Sequence, residues 1–246
     1  MHIPVPLHPF SEKIAPGISK GRSVRDGYAR GFSTLPGKFS DCEKDPLFKL
    51  AFETMEGRTL VTSPRLMNLY FIITQFFRDI GCQNIIEFGA FRGGSSLFMA
   101  TLLKELYPTA KLYCCDTFEG MPQTDVRYDA HSEGDFANAD YHGLLSIIEK
   151  RKLDNIVILK GLFEETLPTI PAQRFGLAHI DCDIYAAAKY TQDTVWGQMT
   201  KGGYVVYDDA TVHSCIGATQ AVEELIMERK ICSEQVYPHF VFRAHL

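Results

Sequence analysis

From about residue 46 onward, short apolar runs alternate with longer stretches whose apolar positions recur every three or four residues. The short runs read as strands: IIEF at 85–88, KLYCCD at 111–116, NIVILK at 155–160, FGLAHID at 175–181 and YVVYDD at 204–209. Each is bounded by turn or helix signals, as buried strands are. The longer stretches read as helices. Asp45-Pro46 offers an N-cap and a first-turn proline ahead of LFKLAFETM. Ser63-Pro64 repeats the device ahead of RLMNLYFIITQFFRDI. There, Leu66, Leu69, Tyr70, Ile73, Phe76 and Phe77 form a stripe with i, i+3, i+4, i+7 spacing that should cover one face of a sheet. Further helical patterns run over 97–107, 141–152, 186–199 and 216–229.

Strands alternating with helices predict an α/β fold around a doubly wound, mostly parallel sheet. The tail, ICSEQVYPHFVFRAHL, reads as two more strands around a turn at Tyr237-Pro238, giving seven strands with an antiparallel edge. Residues 1–45 differ: Pro4, Pro6, Pro9, Pro16 and Pro36 are interleaved with glycines, which excludes a long helix or a central strand. The expected organisation is an irregular arm over 1–45 and one domain over 46–246. Such an arm is either a loose tail or a segment that packs on a second subunit of a homo-oligomer, a dimer, or closes over the site.

Composition narrows the function classes. A chain of 246 residues, 46% hydrophobic, can bury one substantial core. A net charge of −5 provides no basic footprint for nucleic acid or an anionic membrane. No apolar run reaches membrane-spanning length, and MHIPVPLHPF lacks the layout of a signal peptide. The seven cysteines show no C-x-x-C spacing and several fall in apolar strands, so they read as reduced and structural, in a cytoplasmic protein.

The candidate chemistry begins at IIEFGAFRGGSS. Gly89, Gly93 and Gly94 follow a strand and precede a helix that opens at Ser95 and Ser96, the layout of a nucleotide-binding βα turn. The spacing is Gly-x-x-x-Gly-Gly, not that of the pyrophosphate turn. Glu87 stands where a carboxylate can meet a cationic amino group, which favours an adenosyl ligand carrying an amino acid and a sulfonium over a dinucleotide. Asp116 ends the next strand, where an acidic residue can take two ribose hydroxyls. The bland alternatives are a tight βα connection for the glycines and a turn residue for Asp116. Residues 117–141 form a long aperiodic stretch of the kind that rims or covers a substrate site. Gly161-Leu162-Phe163 follows a later strand and could sandwich an adenine.

Asp181, Asp183, Asp208 and Asp209 fall at the carboxyl ends of two strands expected to be neighbours. Carboxylates converging on one point repel one another unless a cation joins them. All-oxygen ligation selects a hard divalent ion, Mg²⁺ first. The alternative is that Asp208-Asp209 caps a helix and Asp181-x-Asp183 is a polar turn.

Taken together, TLVTSPRLMNLY, IIEFGAFRGGSS, DTFEGMP, KGLFEETLP, AHIDCDIY and GGYVVYDD resemble, in order, the macrocin O-methyltransferase family, over about residues 46–242. The resemblance implies a Rossmann-like class I methyltransferase that uses S-adenosylmethionine (SAM) and a divalent metal to methylate a sugar hydroxyl on a small-molecule or glycosylated acceptor. It implies SAM on Glu87, Gly89 and Asp116, with Thr62, Ser63 and Arg65 near the donor. By the same carry-over, Ser95, Gly161, Phe163 and Asp181 belong to the SAM site. It also implies metal on Asp181, Asp208 and Asp209, and Asp183 as proton acceptor, with Asp181 beside it in the catalytic pair. His131, His179 and His213 are reserve bases. Cys182 and Ala186-Ala187 depart from the family's usual residues, and residues 1–45 have no counterpart. Competing readings are a metal-dependent catechol or phenol O-methyltransferase, a non-catalytic SAM-binding protein, and an NAD-dependent oxidoreductase.

Overall fold

The computed structural model describes residues 42–236 and 238–245, so the expected arm, apart from 42–45, lies outside the described residues. Helix α1 (Pro46–Thr54) begins as its sequence predicts. Asp45 accepts hydrogen bonds from the backbone N–H groups of Leu47 at 2.8 Å and Phe48 at 3.2 Å. Helix α2 (Ser63–Phe71) starts one residue earlier than its cap signal indicated, with Thr62 at the N-cap and Ser63 already helical. It then widens into a π turn at Ile72–Phe76 and closes with a 3₁₀ turn at Phe77–Asp79. The wider turn rotates the apolar stripe: Leu66, Leu69, Tyr70, Ile73 and Phe77 are buried, whereas Phe76 turns outward and is 54% exposed.

The sheet comprises β1 (Ile85–Phe88), β2 (Leu112–Asp116), β3 (Ile156–Lys160), β4 (Phe175–Ile180), β5 (Met199–Tyr207) and β6 (Phe240–Arg243). Their order is β3-β2-β1-β4-β5-β6, parallel except for β6. Between them run α3 (Gly94–Leu106), α4 (Tyr141–Arg151), the short α5 (Phe163–Thr166), α6 (Tyr185–Val195) and α7 (Ile216–Arg229). Successive strand residues point to opposite faces, so the sheet feeds two cores. Ile85, Leu177 and Val206 pack with Phe48, Leu69 and Phe98 from α1, α2 and α3. Ile86, Ala178 and Val205 pack with Val195, Trp196 and Leu225 from the α6 and α7 side. Among the described residues, no helix is long and apolar enough to cross a membrane.

Two expectations need correction. The sheet has six strands among the described residues, not seven. The first tail strand shrinks to a single bridge between Gln235 and Val241, because the Val241 carbonyl accepts from the N–H groups of both Glu234 and Gln235 and no ladder continues. Gly202-Gly203 does not turn into the fifth strand but lies inside it. Gly202 adopts φ +77°, and the register of β5 against β4 shifts across this stretch.

Gly89 fixes how closely β1 can approach β4. Its φ is +85°, and a Cβ there would sit 1.7 Å from the carbonyl oxygen of Asp181. Gly89→Ala should therefore cost roughly 2–5 kcal/mol, combining a left-handed backbone with overpacking against main chain. Urea unfolding of the variant should show that loss in its midpoint.

Candidate active site

The strand order reverses on either side of β1, and at such a switch point the carboxyl ends of the strands part. A cavity of about 580 Å³ opens there, in the range that holds a small-molecule ligand. Its walls come from the ends of β1, β2, β4 and β5, from the segment around Arg58–Arg65, and from the loop over 117–140. That loop has no regular element yet is anchored. The Asp129 carboxylate accepts the Tyr185 N–H at 2.8 Å, and Tyr128 stacks on Tyr185 with ring centroids 4.3 Å apart. Arg58 pins the other side, donating to the Arg92 carbonyl at 2.8 Å and to the Asp140 carboxylate at 2.7 Å.

Of the residues expected at a SAM site, Gly89, Ser95, Asp116, Phe163 and Asp181 line the cavity. Thr62, Ser63 and Gly161 do not, whereas Arg65, also expected near the donor, lines it together with the neighbours Val61 and Leu162. Asp116 braces the glycine loop. Its Oδ2 accepts from the N–H groups of Ala90 at 2.7 Å and Phe91 at 2.8 Å, and its Oδ1 from Phe118 at 2.6 Å. Glu87 is placed differently from its expected role. It is fully buried, off the cavity wall, and accepts from the Ser96 hydroxyl at Oε2 while Oε1 lies 2.9 Å from His179 Nδ1.

His179 links Glu87 to the far side of the site, with Nε2 3.4 Å from Asp208 Oδ1. Burial pushes its pKa down, but hydrogen bonds and charge from Asp208 and Glu87 outweigh burial and raise it to about 9. The enclosed ring is therefore a cation between two carboxylates. Asp208 Oδ2 accepts from Arg65 Nη1 at 2.6 Å, and its Oδ1 is 3.2 Å from His239 Nδ1. Burial alone would raise the pKa of Asp208; His179, His239 and Arg65 instead hold it well below the usual carboxylate range. Burial lowers His239, so its neutral ring donates to Asp208 while Nε2 accepts from Asn68 at 2.6 Å.

Among the described residues, no cation is hydrogen-bonded to Asp181 or Asp209, and Arg65 offsets Asp209 only weakly. Burial, then the neighbouring Asp208 and Asp209 carboxylates, pushes Asp181 well up; burial, then Asp183 and Asp208, does the same to Asp209. One oxygen each from Asp181, Asp208 and Asp209 falls within 4.8 Å of the others. Asp208 retains a free lone pair on Oδ2 beyond its bond to Arg65. An all-oxygen set with surplus negative charge fits a hard divalent cation.

Asp183 sits next to this set in left-handed backbone, φ +59°, uncommon for a residue with a side chain and frequent at functional turns. Its N–H donates to Asp209 Oδ2 at 2.9 Å, and its carboxylate accepts from the Cys215 thiol at 3.1 Å. Burial raises its pKa. Of the reserve histidines, His131 lines the cavity with Nε2 3.8 Å from Asp183 Oδ1, His179 is enclosed, and His213 is an exposed residue off the cavity wall. Sequence reasoning passed over Ser96, Asn68 and His239, which act only through contacts across separate segments, and treated Cys215 as a packing residue.

A glycine loop, an acidic strand end and a triad of aspartates at one switch-point cavity define the architecture of a Rossmann-like transferase. The sequence matches the macrocin O-methyltransferase (TylF) family over residues 52–236, and the chain belongs to that family. It is 30% identical over 171 residues to the 8-demethyl-8-(2,3-dimethoxy-alpha-L-rhamnosyl)-tetracenomycin-C 4'-O-methyltransferase of Streptomyces olivaceus, a match that spans 65% of each chain. The O-methyltransferase NovP superposes with a TM-score of 0.67 at 20% identity, over 77% of this chain and 83% of that one. An O-methyltransferase from Bacillus cereus, solved in complex with S-adenosylhomocysteine (SAH), superposes at 0.51 and 16% identity, over 89% and 95%. These structures share the fold.

Replacing His179 by leucine leaves Glu87 and Asp208 buried without their shared cation and should cost about 3–5 kcal/mol. The pH dependence has a definite sign. The folded pKa of about 9 lies above the unfolded value near 6.5, so this stabilisation is complete below about pH 6.5 and is lost as pH rises through about 9. Urea titrations in EDTA across pH 6–9.5 should show stability falling in the wild type, with that component absent in His179→Leu.

Proposed function

We propose that this protein is an O-methyltransferase acting from SAM on a sugar hydroxyl of a natural product or glycoconjugate, with a hard divalent cation, Mg²⁺ first, on Asp181, Asp208 and Asp209. The observation that carries this reading is that the braced glycine loop and the aspartate triad face one cavity. Family membership supports methyl transfer to oxygen, and the rhamnosyl substrate in the name of the Streptomyces relative favours a sugar over a catechol.

In this reading SAM supplies the methyl group, and the cation, when bound, acidifies and orients the acceptor hydroxyl. The protein's own residues do the rest. Gly89 would let the donor lie against the backbone, Asp116 would offer its remaining lone pairs to a ribose, and Leu162 with Phe163 would flank an adenine. Glu87 acts by fixing His179 and, through it, Asp208. Asp183 would take the proton of the acceptor hydroxyl, whose oxygen would receive the methyl group that SAM supplies. Burial raises the pKa of Asp183, the direction that makes a carboxylate a stronger base. Walls that hold the oxygen in line with the methyl and the sulfur supply a further part of the acceleration.

The test is methyl transfer from SAM to a panel of rhamnosylated acceptors, followed by mass spectrometry. EDTA, or Asp209→Asn, should abolish product while leaving SAM affinity within about tenfold, or about 1.4 kcal/mol, by calorimetry. Full activity in EDTA would exclude the metal-dependent mechanism. Asp183→Asn should still bind SAM and metal but lose roughly 10²–10⁴ in turnover, the usual contribution of a general base. Turnover within threefold of wild type would remove Asp183 from that role.

A further inference from the structure

We propose that Cys215, His131 and Asp183 form a second, softer metal site beside the aspartate triad, one that takes Zn²⁺ or a similar thiophilic divalent cation. The three residues come from separate segments: the loop over 117–140, the turn after β4, and the residue just before α7. They nevertheless converge. Cys215 Sγ lies 3.1 Å from Asp183 Oδ1 and 3.7 Å from His131 Nε2, and His131 Nε2 lies 3.8 Å from Asp183 Oδ1. Zinc bonds of about 2.0–2.3 Å at the tetrahedral angle place ligand atoms roughly 3.3–3.6 Å apart. The observed triangle needs shifts of only a few tenths of an ångström to match.

The chemistry of the donors separates this site from its neighbour. Sulfur and imidazole nitrogen select zinc and its soft relatives, whereas three carboxylates suit magnesium. His131 is already oriented for ligation. Its other ring nitrogen, Nδ1, is 3.3 Å from Asp135 Oδ2, the carboxylate–histidine arrangement that sets tautomer and direction at zinc centres. All three ligands also line the cavity, so the fourth coordination position faces its interior. On binding, the Cys215 S–H bond breaks, the sulfur joins the metal, and the proton passes to solvent.

A consequence follows that rests on the methyl-transfer reading. Asp183 cannot ligate zinc and accept the hydroxyl proton at once, so occupancy of the soft site should inhibit turnover supported by Mg²⁺. Binding itself does not depend on that reading.

The experiment is titration of the metal-free full-length protein with Co²⁺, which reports thiolate ligation directly. The expected result is a stoichiometric thiolate-to-cobalt charge-transfer band, displaced by Zn²⁺ but not by excess Mg²⁺. Cys215→Ser should abolish the band and weaken Zn²⁺ binding by at least about a hundredfold, since outer partners alone contribute about 10–100-fold. Cys182→Ser, which changes the other cavity cysteine, and Asp209→Asn should both keep the band. No band in the wild type, or an undiminished band in Cys215→Ser, would overturn the site. A wild type without the band overturns the site whether or not the variants fold. If Mg²⁺ supports turnover and full Zn²⁺ occupancy leaves it unchanged, the inhibitory role is overturned. Absence of turnover with any metal would count against the methyl-transfer reading, and the spectrum would still decide the site.

Discussion

Buried negative charge at the carboxyl ends of β1, β4 and β5 is the constraint on which the site depends. Glu87, Asp181, Asp208 and Asp209 all lie near one switch point, where the dielectric is low and mutual repulsion strong. The protein compensates half of this charge from within. Glu87 and Asp208 share the His179 cation, and Asp208 also takes Arg65 and the neutral donor His239. Among the described residues, Asp181 and Asp209 have no cation in contact, and Arg65 acts on Asp209 only from a distance. That asymmetry separates the carboxylates that hold the structure together from those that invite a metal.

The fold sets this division before any ligand arrives. A parallel sheet directs its strand ends to one side, and the absence of a Cβ at Gly89 brings β1 within contact of the turn after β4. Asp116 ties that loop to β2 through the backbone N–H groups of Ala90 and Phe91, so this half of the cavity is built on braced main chain. The opposite side of the cavity is different in kind. Its wall is the aperiodic loop over 117–140, tethered at Asp129 and Tyr128, where sequence can change without disturbing the sheet.

Much of this was legible in the chain itself. The alternation of apolar runs located β1 to β4 closely and the second half of β5, the glycine loop marked the switch point, and the paired aspartates fell at the carboxyl ends of β4 and β5. What was not legible depends on pairing between segments. Glu87 and His179 are register partners on β1 and β4, and no single-strand pattern shows that their side chains will pair. His239 arrives from the tail. Phe76 turned outward because a π turn, invisible to a helical-period count, shifted the stripe by one position. Cys215 read only as one of seven reduced, structural cysteines, because its approach to His131 depends on how the loop over 117–140 folds.

The central claim is that one cavity holds an adenosyl donor and a hard cation side by side, with Asp181, Asp208 and Asp209 as the protein ligands. Crystals grown with SAH and Mn²⁺, measured at the manganese absorption edge, test it directly. The account predicts one anomalous peak coordinated by the three aspartates, with the SAH sulfur in the same cavity and its ribose at Asp116. SAH bound there with no peak at the triad, or manganese bound only elsewhere, would contradict it.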